Sequence, residues 1–189
     1  MAIAKYSKTC GKNVPGNSRL FFTEAANISS ITATSNEISA ITMTASGSDT
    51  TKFREFGADI DSIKFTIEGT GSASYSEVQK LEAKFSKKTT ALITAKNSLL
   101  DAVACGVAII RVDNNGNAWL SGYTVKDKNR RAYNKITTNF DTGAKPSDEG
   151  TAAYTITLEA EGFDDELAFD KTTLNTAIVG GTAAFIDYN

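Results

Sequence analysis

Histidine is absent from this chain, and its absence narrows the chemistry the other residues can perform. It removes the commonest general base, the commonest metal ligand and every nucleophile arrangement built as Ser-His or Cys-His. Carboxylates, two cysteines, one basic cluster and a few aromatics remain. Asp59/Asp61 and Glu159/Glu161 each stand two residues apart, the spacing that puts both members on one face of a strand. Such a pair can serve as acid and base or hold a cation; the commoner arrangement, and the one expected, is a solvated polar sheet face. Asp113-Asn114-Asn115-Gly116-Asn117 is as oxygen-rich as a calcium loop. It lacks the further acidic positions and the distal Glu that calcium requires. A hairpin turn is expected instead, with Asn115 and Gly116 both tolerating positive φ.

Lys126, Lys128, Arg130 and Arg131 form a basic cluster close to Tyr123 and Tyr133. It suits nucleic-acid contact, a solvated loop, or ion pairing with the acidic patch at Asp164, Asp165 and Glu166 of a neighbouring copy; the last is the reading adopted. Trp119 and Tyr123 lie four residues apart on one strand face, where they serve core packing or, as the sharper alternative, an aromatic ligand platform. Cys10 and Cys105 are too far apart to form a metal knuckle. Cys105, within Ala-Val-Ala-Cys-Gly, reads as a small buried hydrophobe. No Walker-type phosphate loop and no Gly-x-Gly-x-x-Gly fingerprint occurs. No catalytic residue, metal ligand or cofactor is therefore expected.

The 189 residues are 41% hydrophobic and 22% charged, with a formal net charge of −2. Those values suit one folded domain with a real core. They do not suit a protein that grips nucleic acid, which needs a surplus of Lys and Arg on one face. No signal-peptide pattern and no bilayer-length apolar run is present, so a chain used without crossing a membrane is expected.

The elements that must position these residues are mostly strands. Arg19–Thr23 is a short apolar run. Ser/Thr/Ile-rich strands are expected near Ile31–Thr34 and Ile38–Thr44, joined at Ser35-Asn36-Glu37. A strand is also expected at Lys52–Gly57. Ile63, Phe65 and Ile67 alternate with Lys64, Thr66 and Glu68. Tyr75–Lys87 fits strand or helix, and the alternation of Leu81, Ala83 and Phe85 with charges favours strand. Thr90–Cys105 is the one expected helix, with Leu92, Ala95, Leu99, Val103, Leu100 and Ala104 on a broad apolar face, Thr89 or Thr90 as cap and Gly106 as terminator. Val107–Val112 and Ala118–Thr124 flank the Asn-Gly turn. Arg131–Phe140 reads as a strand, and Tyr154, Ile156, Leu158 and Ala160 alternate with polar residues in the clearest amphipathic strand. Leu174–Tyr188 is small and apolar, suited to a final strand or to an arm that docks on a neighbour.

Two stretches carry a resemblance. Gly106-Val-Ala-Ile-Ile-Arg-Val-Asp-Asn-Asn-Gly-Asn-Ala-Trp-Leu-Ser-Gly-Tyr123 joins an apolar strand, an Asp-Asn-Asn-Gly turn and a Trp-Leu-x-Gly-Tyr return; Tyr154-Thr-Ile-Thr-Leu-Glu-Ala-Glu-Gly162 follows a loop and precedes acidic residues. Over about Arg19 to Phe169 the chain resembles the tail tube (major tail) proteins of tailed bacteriophages. The resemblance implies a mainly β fold, a β-sandwich or barrel with one flanking α-helix at about residues 90–105. The tube-like domain would cover residues 1–170, and residues 171–189 would form a C-terminal extension or inter-subunit arm. It implies a virion structural protein, not an enzyme, assembled in the host bacterial cytoplasm. Its copies would form hexameric rings whose sheets join into an inner barrel, and the rings would stack into a conduit for DNA ejection. The implied partners are further copies, other tail or neck proteins, and phage DNA passing transiently, with no membrane. Rival expectations are a tail terminator, neck or capsid-decorating protein, and a carbohydrate-binding β-sandwich that exposes Trp119, Tyr123 and Tyr133 on one face.

Overall fold

Alternation of apolar and polar side chains builds most of this molecule, because a strand sends successive side chains to opposite faces. The computed structural model describes residues 16–45, 49–58, 62–70, 76–85, 88–123, 132–141, 153–162 and 166–180. The strands, in chain order, are β1 (Asn17–Glu24), β2 (Ile28–Thr34), β3 (Glu37–Met43), β4 (Arg54–Glu55), β5 (Ile63–Thr70), β6 (Ser76–Phe85), β7 (Val107–Asp113), β8 (Ala118–Ser121), β9 (Lys135–Asp141), β10 (Ala153–Gly162) and β11 (Leu167–Phe169). Helix α1 spans Thr90–Cys105 and helix α2 spans Lys171–Ala177. The strands form one sheet in the order β2-β3-β11-β8-β7-β1-β5-β6-β10-β9, with β4 laid on β1. Only the β3–β11 pair is parallel among these strand pairs, so the fold is mainly β with a mixed sheet.

The segment that fitted helix or strand is the strand β6. Leu81, Ala83 and Phe85 are buried while Lys80 and Lys84 are exposed, and β6 pairs with β5 and β10 along its length. On β10, Tyr154, Ile156, Leu158 and Ala160 face inward as the alternation demands. At Lys52–Gly57 only Arg54–Glu55 is strand.

The sheet encloses two cores. Leu20 and Phe21 are adjacent on β1, and both are buried, as are Ile109 and Ile110 on β7. Since neighbours on a strand point to opposite faces, the β1–β7 pair is covered on both sides. One face joins Phe21 and Ile110 to Ile28, Ile38, Leu120 and Leu174. The other joins Leu20 and Ile109 to Leu81, Ile156, Leu158 and α1. The sheet curls around the second core until it meets itself: Val107 N–H donates to Tyr133 O at 3.0 Å, and Tyr133 N–H donates to Val107 O at 2.9 Å. This bridge ties the start of β7 to the residues entering β9. Gly122 is pressed against it. Its φ is +75°, and a Cβ there would lie 2.8 Å from the Tyr133 ring and 2.9 Å from the Val107 carbonyl oxygen, so only glycine fits.

Helix α1 starts where the sequence indicates, with Thr89 Oγ1 accepting from Leu92 N–H at 3.1 Å. It ends at Gly106, with φ +90°. Its buried stripe is narrower than expected: Leu99 and Val103 are buried, whereas Leu100 and Ala104 are exposed. At about 100° per residue, Leu100 turns away from the second core, into which Leu99 and Val103 pack. The same geometry corrects the expectation for Cys105, which is exposed.

The second helix corrects the expectation of a single one. Asp170 caps α2, accepting from Thr172 N–H at 2.7 Å and Thr173 N–H at 2.9 Å and from the Thr173 hydroxyl at 2.6 Å. These bonds hold its carboxyl below the ordinary range. Leu174, Ala177 and Ile178 are fully buried in the first core, and burial of Leu174 and Ile178 contributes roughly 3–6 kcal/mol. Lys171–Ala177 thus packs on this core as a helix rather than as a strand, and Ile178 follows it into the core. Residues 181–189 lie outside the described residues.

Candidate functional site

The outward face of β5, β6, β10 and β9 is an organised polar surface. Lys64, Lys80, Lys84 and Lys135 stand there among Glu68, Glu82, Glu159, Glu161 and Asp141, four lysines beside five carboxylates. Register makes them a chequerboard: Lys64 lies opposite Glu82, Lys80 opposite Glu159, and Glu159 opposite Lys135. The Lys80–Glu159 ion pair spans 3.6 Å, and Lys135–Glu161 spans 2.9 Å. The bond to Glu161 raises the Lys135 pKa. Exposed pairs of this kind add little stability; their effect is to cancel charge locally. Glu159 and Glu161 thus take the role of a solvated face, each matched by a lysine. Thr66, Val78, Thr155, Thr157, Thr137 and Asn139 stand between them.

This face runs out to an open edge. β9 ends the strand order at one side and β2 at the other, and beyond Tyr133 no strand covers the outer edge of β9 among the described residues. Thr137, Thr138, Asn139 and Phe140 are exposed on both sides of β9. Phe140 touches Tyr154 and carries the Lys88 ammonium over its ring at 4.6 Å. β2 carries exposed Ser29, Ser30, Thr32 and Thr34. Its hairpin to β3 turns at Ser35 and Asn36, with φ of +53° and +67°.

Behind the polar face lies a buried ionic centre that the sequence reasoning missed. Arg111 on β7 forms a two-bond ion pair with Glu166, its Nε donating to Oε1 at 2.8 Å while its Nη2 donates to Oε2. Its Nη1 donates to Asn17 Oδ1 at 2.9 Å. The guanidinium sits 4.6 Å from the Phe65 ring centroid and 5.6 Å from that of Trp119. The Glu166 side chain is only 4% exposed. This corrects the placement of Glu166 in a surface patch facing a neighbouring copy: its carboxylate is turned inward and joins the lead-in of β11 to β7. The available signal was Arg111 itself, a lone charge in the run Val107–Val112. A charge on a strand buried on both sides requires a partner.

The Asp113–Asn117 segment is a turn. Gly116 N–H donates to Asp113 O at 3.0 Å and Asp113 N–H to Asn117 O at 2.9 Å. The Asp113 carboxylate accepts from Asn115 N–H, Asn117 N–H and the Trp119 indole N–H. Gly116 has φ of +82°, whereas Asn115 is not among the residues with positive φ. The hairpin turn expected here forms, as a three-residue type in which Gly116 alone, and not Asn115, takes the left-handed position. Tyr133 is fully buried, its hydroxyl donating to Ser121 Oγ at 3.0 Å, and burial raises its pKa. Trp119, Tyr123 and Tyr133 therefore do not form one exposed aromatic face.

Asp59, Asp61, Cys10, Lys126, Lys128, Arg130, Arg131, Asp164 and Asp165 lie outside the described residues. Among the described residues, no group of three or more Cys, Asp or Glu side chains is placed to hold a metal ion, and no helix is long and apolar enough to cross a membrane. No protein-family model, curated protein or solved structure matches the chain.

Proposed function

We propose that this protein is a self-assembling virion structural subunit, a tail tube protein whose copies close into rings, hexameric on the pattern of that family, and stack into the conduit for DNA ejection. The observation that carries the reading is that β2 and β9 end the strand order of one long sheet, with no further strand along their outer edges among the described residues. Open edges invite pairing with another chain, and a ring uses them up in an ordered way. The chequerboard face beside β9 supports the same reading. A surface whose four lysines stand among five carboxylates offers phosphates no net attraction, which suits a wall that DNA passes without being held. The stretches that resemble the family fall on the β7–β8 hairpin and on β10, strands that build the two cores. On this reading the partners are further copies, tail or neck proteins and transient DNA, the place of action is the phage tail after assembly in the host bacterial cytoplasm, and there is no catalysis.

Negative-stain imaging of the purified protein tests it. Long tubes of uniform width are expected. Single rings would shift the assignment to a tail terminator or neck protein, and monomers at high concentration would refute self-assembly. The carbohydrate-binding rival is disfavoured by the burial of Tyr133.

A further inference from the structure

In the strand order β2-β3-β11-β8, the three-residue strand β11 alone joins the β2–β3 hairpin to the body of the sheet among the described residues. Ala168 and Phe169 pair with Glu37 and Ile38 of β3 on one side. Leu167, Ala168 and Phe169 pair with Leu120, Trp119 and Ala118 of β8 on the other. At the hairpin's turn, Ala168 N–H donates to Asn36 O at 2.9 Å. Helix α2 adds a second tie to the same hairpin, with the Thr173 hydroxyl donating to Ser39 O at 3.4 Å.

Residues 166–178 are themselves fastened to the body at both ends. Glu166 is held by Arg111 of β7. At the far end, Phe53 N–H donates to Ala177 O at 3.0 Å, and Val179 N–H donates to Phe53 O at 2.9 Å. Between these ends, Leu167, Phe169, Leu174, Ala177 and Ile178 lie in the first core beside Ile28, Ile38 and Met43 of the hairpin. No residue of the hairpin or of 166–178 belongs to the second core. Loss of this segment would strip its apolar side chains from the first core and leave β3 with no strand neighbour but β2 among the described residues.

We propose that residues 166–178 are a releasable clip: clip and β2–β3 hairpin leave and rejoin the body as one cooperative unit, while the second core stays folded. Proteins open locally in units whose members depend on the same contacts. The hairpin's strand pairing to the body runs through β11, whereas Leu20 of β1 and Ile109 of β7 stay packed in the second core on the opposite face. With the clip open, β2 no longer ends the sheet, and the edges of β3 and β8 that flank β11 are bare. Docking of the clip therefore decides which strand edges a copy offers to other chains. The opening itself does not depend on whether the copies form a tube.

Native-state hydrogen exchange of the dilute, full-length chain tests it, read by mass spectrometry across a series of low urea concentrations. Peptides covering residues 28–43 and 167–178 are expected to share one opening, with a common urea slope, and to exchange faster than peptides from β6 and β10. Asp170→Ala removes the cap of α2 and is expected to speed exchange of both segments by the same factor, about fivefold. Leu174→Ala, which takes a buried side chain of the clip out of the first core, is expected to speed both by roughly 30-fold or more. An Asp170→Ala effect confined to residues 167–178, different urea slopes for the two segments, or exchange of the hairpin only at the rate of β6 and β10 would each overturn the proposal.

Discussion

Replacing Glu166 by glutamine separates a buried structural ion pair from a surface contact between copies. The change keeps the side chain's shape, so no cavity opens, and it removes the negative charge facing Arg111. The Arg111 side chain is 15% exposed and Glu166 4%, so water can offset little of the loss. Removing one partner of such a pair costs about 3–5 kcal/mol. Arg111 keeps its bond to Asn17 and its two ring neighbours, which places the expected cost near the lower end, about 3 kcal/mol. With a urea slope of about 2 kcal/mol/M, the unfolding midpoint should fall by about 1.5 M. Urea titration of dilute, unassembled protein, followed by Trp119 fluorescence, measures this directly, since Trp119 packs on Arg111. The double variant Arg111→Met/Glu166→Leu should recover most of the loss, because apolar replacement of both partners of a buried pair is often neutral or stabilising. An unchanged midpoint for Glu166→Gln, with tube or ring formation abolished, would refute the reasoning and return Glu166 to the inter-subunit role expected from the sequence.

Three further outcomes are expected. Gly122→Ala should destabilise by roughly 1–3 kcal/mol or more, from a left-handed φ forced on a residue with a Cβ together with contact against the Val107 carbonyl; an alanine tolerated without loss of urea midpoint would show that the Val107–Tyr133 bridge is not rigid. Tyr133→Phe should cost about 1 kcal/mol at neutral pH through its lost hydroxyl bond. The folded pKa of Tyr133 lies above its unfolded value, so the stability it confers is fully present below pH about 10 and is lost as pH rises beyond that, by up to about 1.4 kcal/mol per pH unit; the alkaline fall in urea midpoint should therefore be shallower in the variant, and parallel profiles would contradict the assignment. Thr138→Lys with Phe140→Lys places charge on the open β9 edge, and should abolish ordered assembly in negative stain while leaving the circular dichroism spectrum intact; tubes that survive would show that β9 is not a joint.

Much of this molecule is legible without coordinates. Alternation over residues 154–160 and 81–85, the capped and glycine-terminated helix at 90–105, and the Asp113–Asn117 turn all arise from contacts a few residues apart, which local patterns encode. Composition likewise carries the absence of histidine. Tertiary structure decided what depends on distant partners. Leu100 and Cys105 are apolar enough for a core, yet they face solvent because α1 turns Leu99 and Val103, and not these two, into the second core. Lys171–Ala177 is a seven-residue helix rich in threonine, too short to be stable alone, and it forms because Leu174 and Ile178 find a core built from β2, β3 and β7. Arg111 and Glu166 lie 55 residues apart. Arg111 within its apolar run signals only that some partner is needed, Glu166 alone reads as a surface charge, and only the meeting of β7 with the approach to β11 makes them one buried pair, because a charge removed from water must find its counterion wherever the chain brings it.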